Sequence, residues 1–360
     1  MRKKNIMLLI GYLKNGGAEN SIVKLANELS QNHQVYLIVA NSDKPDYSVN
    51  CEIIEIKELK NKLSKIIAIH KIRKLKKKLK IDVAISYTTV FNFVNVITKR
   101  NEKTIISIRN YLSLKEKELL YKLLHRISTK KSDVIICCSK AVMNDQINNY
   151  GVSKSKIKVI ENFCNPILIN PLANISVNFN HYIVAISRLK EHKGLKELIK
   201  AFKMVTDKDK NLKLLIFGRG PEEKKLKQLI IDLSLEQNVF LMGFTDNPYK
   251  YLKHAECFVL TSYYEGFSNS IIEAMTCSCP VVAVDSPGGN REILTDCYYG
   301  QKKKKSVSYG ILVPNHDINN ISDAILNVIS RKDNYYQKLS LQRSRQYTKE
   351  KIMRKWYDVL

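Results

Sequence analysis

The chain has 360 residues, 44% hydrophobic and 26% charged, which excludes a disordered or collagen-like polymer and favours two domains of ordinary size. Lys and Arg number 60 against 34 Asp and Glu, and residues 1–170 hold 31 basic and 14 acidic side chains against 29 and 20 in the remainder. That excess points to an anionic partner for the first half, be it a membrane surface, a phosphorylated substrate or nucleic acid.

In chain order, Met1-Arg2-Lys3-Lys4 and the apolar run Ile6–Leu13 imitate a signal peptide. Lys14 ends the run and no small-x-small cleavage site follows, so a first β-strand is the better reading. A helix is predicted from Gly17, with Ile22, Leu25, Ala26 and Leu29 on one face. Further strands are predicted at 34–39, 83–86, 104–108, 134–138 and 157–160. Around 161–180 the pattern lapses, with Pro166 and Pro171 read as helix breakers. Alternation resumes with strands at 181–187, 212–217, 239–242, 257–260 and 281–284. The expected class is α/β, with two Rossmann-like domains facing across a cleft. The boundaries are 1–168, a linker at 169–180, and 181–340, with a helix at 341–360 packing back on the first domain. No stretch approaches the length of a membrane-spanning helix, and the eight cysteines are scattered without Cys-x-x-Cys spacing. This suits a reducing, cytoplasmic setting without structural zinc.

Two charge runs stand out. Seven of residues 71–80 are Lys or Arg, continuing a predicted helix with the apolar stripe Ile66, Ile69, Ile72, Leu75 and Leu79. This is either a solvated basic face or a contact with anionic lipid headgroups. The run Lys302–Lys305 reads as an inserted loop.

Chemistry is expected in the loops after the strands, because ligands of such sheets bind at strand carboxyl ends. Ser262 to Met275 follows a strand and opens a helix, the order that presents backbone N–H groups to a phosphate. Asn269 and Ser270 would start that helix. Glu265 falls in the loop and Glu273 inside the helix, where they can approach a sugar and two ribose hydroxyls; the plainer reading is a helix cap and a surface residue. Arg188 and Lys193, five apart after another strand, can clamp a diphosphate, the Arg as a fork and the Lys as a point charge. Gly218-Arg219-Gly220-Pro221 is a poor dinucleotide fingerprint and reads as a tight turn near a ligand. Phe244 either walls a nucleobase or fills the core. Asp207-Lys208-Asp209 imitates a metal-binding D-x-D but lies between a helix and a strand, away from that edge.

Taken together, Ser187-Arg188-Leu189, Lys193-Gly194, Gly218-x-Gly220-Pro221 and Glu265-Gly266-Phe267 with Glu273 eight residues on resemble the retaining glycosyltransferases of family 4, with the GT-B fold. The resemblance extends to Gly16-Gly17-Ala18-Glu19, to Gly288–Leu294 and to Gly310–Pro314, and is nearest to enzymes building bacterial lipopolysaccharide, O-antigen or capsule. It implies a nucleotide-sugar donor, UDP-linked by expectation, and a lipid-linked or saccharide acceptor reached at the inner face of the membrane. It also implies no cofactor and no metal. Glu265, Arg188 and Lys193 would act in transfer. Glu273, Asn269, Ser270, Gly266, Phe267, Gly218, Phe244 and Gly17 would hold the donor, with Gly16, Arg109 and Asn110 near the sugar or acceptor. Three features depart from the family pattern: Arg109 where a His is frequent, Ser278 where a Gly is common, and the longer segment at 295–309. The rival readings are a nucleotide-sugar epimerase of the same architecture and a basic nucleic-acid-binding protein. The second lacks aromatic platforms, helix-turn-helix and zinc-finger patterns.

Overall fold

Strands such as Ile6–Ile10 and Val281–Val284 are apolar on both faces, so each can be stable only where helices cover both sides of a sheet. The computed structural model describes residues 2–14, 16–41, 48–60, 65–115, 118–301, 308–331 and 333–360, and shows this arrangement twice. The Lys302–Lys305 run lies outside the described residues. The chain divides into Met1–Glu161 with Met353–Leu360, and Asn162–Ile352.

The first unit holds strands β1 (Asn5–Ile10), β2 (Gln34–Val39), β3 (Glu52–Glu55), β4 (Val83–Tyr87), β5 (Lys103–Ile108), β6 (Val134–Cys137) and β7 (Ile157–Val159). They form one parallel sheet in the order β3-β2-β1-β4-β5-β6-β7. The order reverses between β1 and β4, which creates a crevice at their carboxyl ends. On one face of the sheet, Met7, Leu9, Ile38 and Ala84 pack against Ala68 and Ile72 of the helix Lys65–Lys78.

That helix corrects the reading of its basic run. Lys76 is buried, not solvated: its Nζ donates to the carbonyl and Oδ1 of Asn95 at 2.9 Å each and to Glu102 Oε1 at 2.8 Å. Asn95 Nδ2 in turn donates to Ala84 O and Ser86 Oγ, tying the ammonium to β4. Burial holds the Lys76 pKa below its ordinary range, with Glu102 opposing. At the other end of the expected apolar stripe, Ile66 is exposed.

The second unit holds β8 (Tyr182–Ile186), β9 (Lys213–Phe217), β10 (Val239–Gly243), β11 (Cys257–Leu260), β12 (Val281–Val284) and β13 (Ile311–Val313), again all parallel, in the order β10-β9-β8-β11-β12-β13. Its switch point lies between β8 and β11. The helix Leu195–Lys208 buries Leu198, Ala201, Phe202 and Val205 against Ile183, Leu214 and Ile216. Leu195 and Leu198 begin the i, i+3, i+4 stripe that Phe202 and Val205 continue.

The stretch expected as a linker is partly helical. Pro166–Ala173 forms a helix within the second unit, with the Asn165 side chain accepting from Ile167 N at 3.2 Å. Pro166 occupies the first helical position, where a missing N–H costs nothing, and Pro171 removes only one bond of a short helix. At the other end, Met353–Leu360 belongs to the first unit and residues 341–352 to the second. Trp356 is buried, Lys4 Nζ donates to Leu360 O at 2.8 Å, and Lys355 pairs with Glu161 at 2.6 Å. Ser278, in the place of the common Gly, adopts φ +60, the left-handed backbone that glycine enters at lower cost. No described helix is long and apolar enough to cross a membrane.

Candidate active site

The two loops that flank the switch point of the second sheet carry the residues singled out in the sequence. After β8 come Ser187–Lys190, a short helical turn Glu191–Lys193, and Gly194. After β11 comes Thr261–Ser268, leading into the helix Asn269–Thr276. The loops are joined by main-chain contacts: Tyr263 N donates to His192 O at 2.9 Å, and Thr261 Oγ1 donates to Gly194 O at 2.8 Å.

This scaffold brings Lys193 and Glu265 into direct contact, Nζ to Oε1 at 2.6 Å, with both side chains only 13% and 15% exposed. An ammonium and a carboxylate so shielded attract more strongly than a surface pair. Arg188 is exposed, and its charge acts on His192 and Tyr264. The Ser268 side chain caps the next helix by accepting from Ile271 N, so the amides of Asn269 and Ser270 form its positive end. Glu273 lies one turn in and is buried.

The loops after β9 and β10 complete this edge. Gly218 has φ +140, and a Cβ there would stand 1.8 Å from Ser187 O, so only glycine lets the two loops touch. Phe244 projects from the end of β10 with its ring exposed, so core filling is not its role. The Arg219 guanidinium lies 6.0 Å from that ring. Phe267 is the reverse case. Its ring is buried edge-on to Tyr347, and Asn162 Nδ2 donates to its carbonyl.

Three contributors had no site role assigned from the sequence. His192 lies between Arg188 and Lys193, stacked on Tyr264 at 5.0 Å. Gly288 passes so close to Glu265 that a Cβ would meet its carbonyl oxygen at 1.7 Å, at φ +126. Glu265 N donates to Pro287 O at 3.0 Å, so the turn after β12 holds the main chain of Glu265. His316 stacks on Tyr263 at 4.0 Å and lies 3.0 Å from Thr261 O. The available signal was position: Ser-Pro-Gly-Gly also follows a strand's carboxyl end.

Burial, reinforced by Lys193 and opposed by Glu265, lowers the His192 pKa from 6.5 to about 4. The unfolded chain therefore takes up a proton between pH 6.5 and about 4 that the folded chain refuses. The stability tied to His192 is present above 6.5 and is lost as pH falls through that window. Accordingly, the His192 ring signals keep their neutral-form NMR shifts down to about pH 5, and His192→Gln flattens the fall of thermal stability across the window. Titration of this ring near 6.5 would refute the assignment.

In the first unit, Gly16 and Gly17 follow β1, and Arg109 and Asn110 follow β5, all at the carboxyl edge of that sheet. Arg109 Nη2 donates to the Tyr87 hydroxyl at 2.5 Å, and its guanidinium lies 4.6 Å from the Tyr87 ring centroid. Asp209 caps the end of its helix and lies 2.7 Å from His181, at the opposite edge of the second sheet. Among the described residues no group of three or more His, Cys, Asp or Glu is placed to hold a metal ion.

Residues 176–349 match the family described as Glycosyl transferases group 1, and residues 15–166 match Glycosyltransferase Family 4. A relative from Campylobacter jejuni is 32% identical over 313 residues, spanning 81% of this chain and 84% of its own. It is the N-acetylgalactosamine-N,N'-diacetylbacillosaminyl-diphospho-undecaprenol 4-alpha-N-acetylgalactosaminyltransferase. The poly(ribitol-phosphate) alpha-N-acetylglucosaminyltransferase of Staphylococcus aureus is 31% identical over 64% of this chain and 44% of its own. Among solved structures, HepE of Anabaena in complex with UDP and glucose superposes with a TM-score of 0.82 at 19% identity, covering 99% of this chain and 98% of that one.

Proposed function

The chain belongs to glycosyltransferase family 4, and from that premise we propose that it is a retaining enzyme moving a hexose or N-acetylhexosamine from a UDP-sugar to a lipid-linked or polysaccharide acceptor in bacterial surface-glycan synthesis. The observation that carries this reading is the Lys193–Glu265 contact at the switch point of the second sheet, beside a capped helix N-terminus. As the bond from the anomeric carbon to the diphosphate breaks, negative charge grows on the leaving phosphate and positive charge on the sugar ring. Lys193, Arg188 and the amides of Asn269 and Ser270 stabilise the first. Glu265, held by Lys193 and the Pro287–Gly288 turn, is placed to stabilise the second. Glu273 accepts the ribose hydroxyls, the exposed ring of Phe244 stacks on the base, and Gly218 lets the main chain come close to the donor. The acceptor is taken by the first unit, with Gly16, Arg109 and Asn110 at the carboxyl edge of its sheet.

The diphospho-undecaprenol in the name of the C. jejuni relative and the poly(ribitol-phosphate) in that of the S. aureus relative support the acceptor class. UDP in the HepE complex supports the nucleotide. A nucleotide-sugar donor together with a lipid-linked acceptor supports a cytoplasmic site of action, peripheral to the inner face of the membrane. The test is a panel of UDP-, GDP- and dTDP-sugars read by thermal shift and by slow donor hydrolysis. Binding at a hundredfold excess over Kd adds about 2.7 kcal/mol of stability. Stabilisation by UDP-sugars alone is expected, and indifference to all three nucleotides would sink the reading. Because lysine, arginine and a helix dipole do the neutralising, excess EDTA leaves turnover essentially unchanged. Full loss on chelation, restored by magnesium or manganese, would overturn that part.

A further inference from the structure

A helix packed on a domain buries its leucines and shows its polar face to water. The helix Leu119–Lys131 does the opposite. It buries His125, Ser128 and Thr129, with His125 Nε2 2.6 Å from Gln146 Oε1 and the hydroxyls of Ser128 and Thr129 turned back onto the helix's own carbonyls. Leu119, Leu120 and Leu123 are left 82%, 61% and 53% exposed. Spacings of three and four residues continue this outward face with Arg126 and Lys130, and Lys122 flanks it. The helix contains no acidic residue, and among the described residues no carboxylate pairs with these three cations.

The cations line a groove of about 750 Å³ whose far wall is Asn149 and Tyr150 at the end of the next helix and Lys156 in the turn that follows it. Lys156 is engaged elsewhere, donating to Lys130 O at 2.8 Å and Ser132 O at 3.0 Å. Parallel strands β5 and β6 require the chain between them to run back along the sheet. The leucine end of the helix therefore lies toward the carboxyl edge, where Arg109 is.

We propose that this face is a membrane-docking surface: Leu119, Leu120 and Leu123 insert below the headgroups, and Lys122, Arg126 and Lys130 engage the phosphates of anionic phospholipid. The combination fits lipid better than a soluble anion, since three exposed leucines have no use for free phosphate, while apolar side chains beside cations match the headgroup boundary. The surface differs from the basic helix Lys65–Lys78, whose central lysine is locked inside the fold. It deepens the lipid-carrier part of the proposed function and rests on that reading for its purpose. Its main readout, vesicle binding, needs no turnover.

The full chain is sedimented with vesicles of phosphatidylcholine alone and of phosphatidylcholine mixed with phosphatidylglycerol, at low and high salt. Wild type binds the anionic vesicles. The combined substitution Leu119→Ser, Leu120→Ser, Leu123→Ser weakens binding at least about tenfold at both salts. Lys122→Gln, Arg126→Gln, Lys130→Gln removes the preference for anionic vesicles and most of the salt dependence. Lys74→Gln, Lys77→Gln, Lys78→Gln, on the other basic helix, binds as wild type. Binding by the leucine variant equal to wild type overturns the proposal, as does an equal loss in the Lys74 control set. Stabilisation by inorganic phosphate through Lys122, Arg126 and Lys130 without vesicle binding overturns it too, leaving a phosphate site. If the leucine variant unfolds early, Leu120→Trp decides: its emission moves to the blue with anionic vesicles, and no movement rejects insertion. Donor hydrolysis away from vesicles stays at the wild-type rate in the leucine variant. Its loss there rejects a docking role, whereas its absence in wild type would count against the transferase reading and leave docking standing.

Discussion

Lys193→Ala, assayed at saturating donor, transfers sugar about a hundredfold more slowly than wild type, the equivalent of roughly 3 kcal/mol lost from the transition state. The ammonium is already held in place by Glu265 at 2.6 Å, so little reorganisation precedes its use. The loss falls on kcat more than on KM, because the charge it meets is largest as the diphosphate departs. Arg188→Ala has an effect of similar order, through a more exposed and looser contact. Glu265→Gln tests the other sign of charge: it keeps the shape, leaves the Lys193 charge unbalanced and also lowers kcat. The three effects do not add, since Lys193 and Glu265 act as one unit. Steady-state rates and thermal midpoints are measured together, so that a folding defect is separated from a catalytic one. Near-normal rates for both Lys193→Ala and Arg188→Ala would remove the clamp from the mechanism.

Lys76→Met destabilises the first unit by about 3–5 kcal/mol, because it strands the Glu102 carboxylate in the interior. Both side chains are essentially inaccessible to water and meet at 2.8 Å. Lys76→Met with Glu102→Leu recovers most of that loss, since a buried pair replaced by apolar groups is often close to neutral. Recovery stays incomplete because the Asn95 oxygens also lose their donor. Urea titration followed by a probe in the first unit reads both, as one global midpoint would mix the two units. A cost under about 1 kcal/mol for the single substitution would show that water reaches the pair.

Where the sequence misled, the cause lies in partners distant along the chain. The parallel sheets were legible because double-sided burial writes continuous apolar runs into strands such as Met7–Ile10 and Val281–Val284. Two strands escaped. Glu52–Glu55 pairs on one side only and keeps charged ends, and Ile311–Val313 is three residues at the other sheet's edge. Lys76 looked like its neighbours because Glu102 and Asn95, which draw it inward, lie on other elements. Lys193, Glu265 and Arg188 could be singled out as candidates from their spacing and their places after strands. The Gly288 turn could not, because its service to Glu265 depends on how β12 lies beside β11.

The first unit is interrupted: Met353–Leu360, with the buried Trp356, belongs to it, although the whole second unit intervenes in the chain. A ribosome extends the chain from one end, at about 5–20 residues per second, so Trp356 emerges on the order of ten seconds or more after Glu161. During that interval the pocket that Trp356 fills stands open, with neither Lys4 nor Glu161 yet joined to its C-terminal partner. The second unit meets no such delay from this segment. Completion of the two halves is thus ordered by synthesis, with the half translated first finished last.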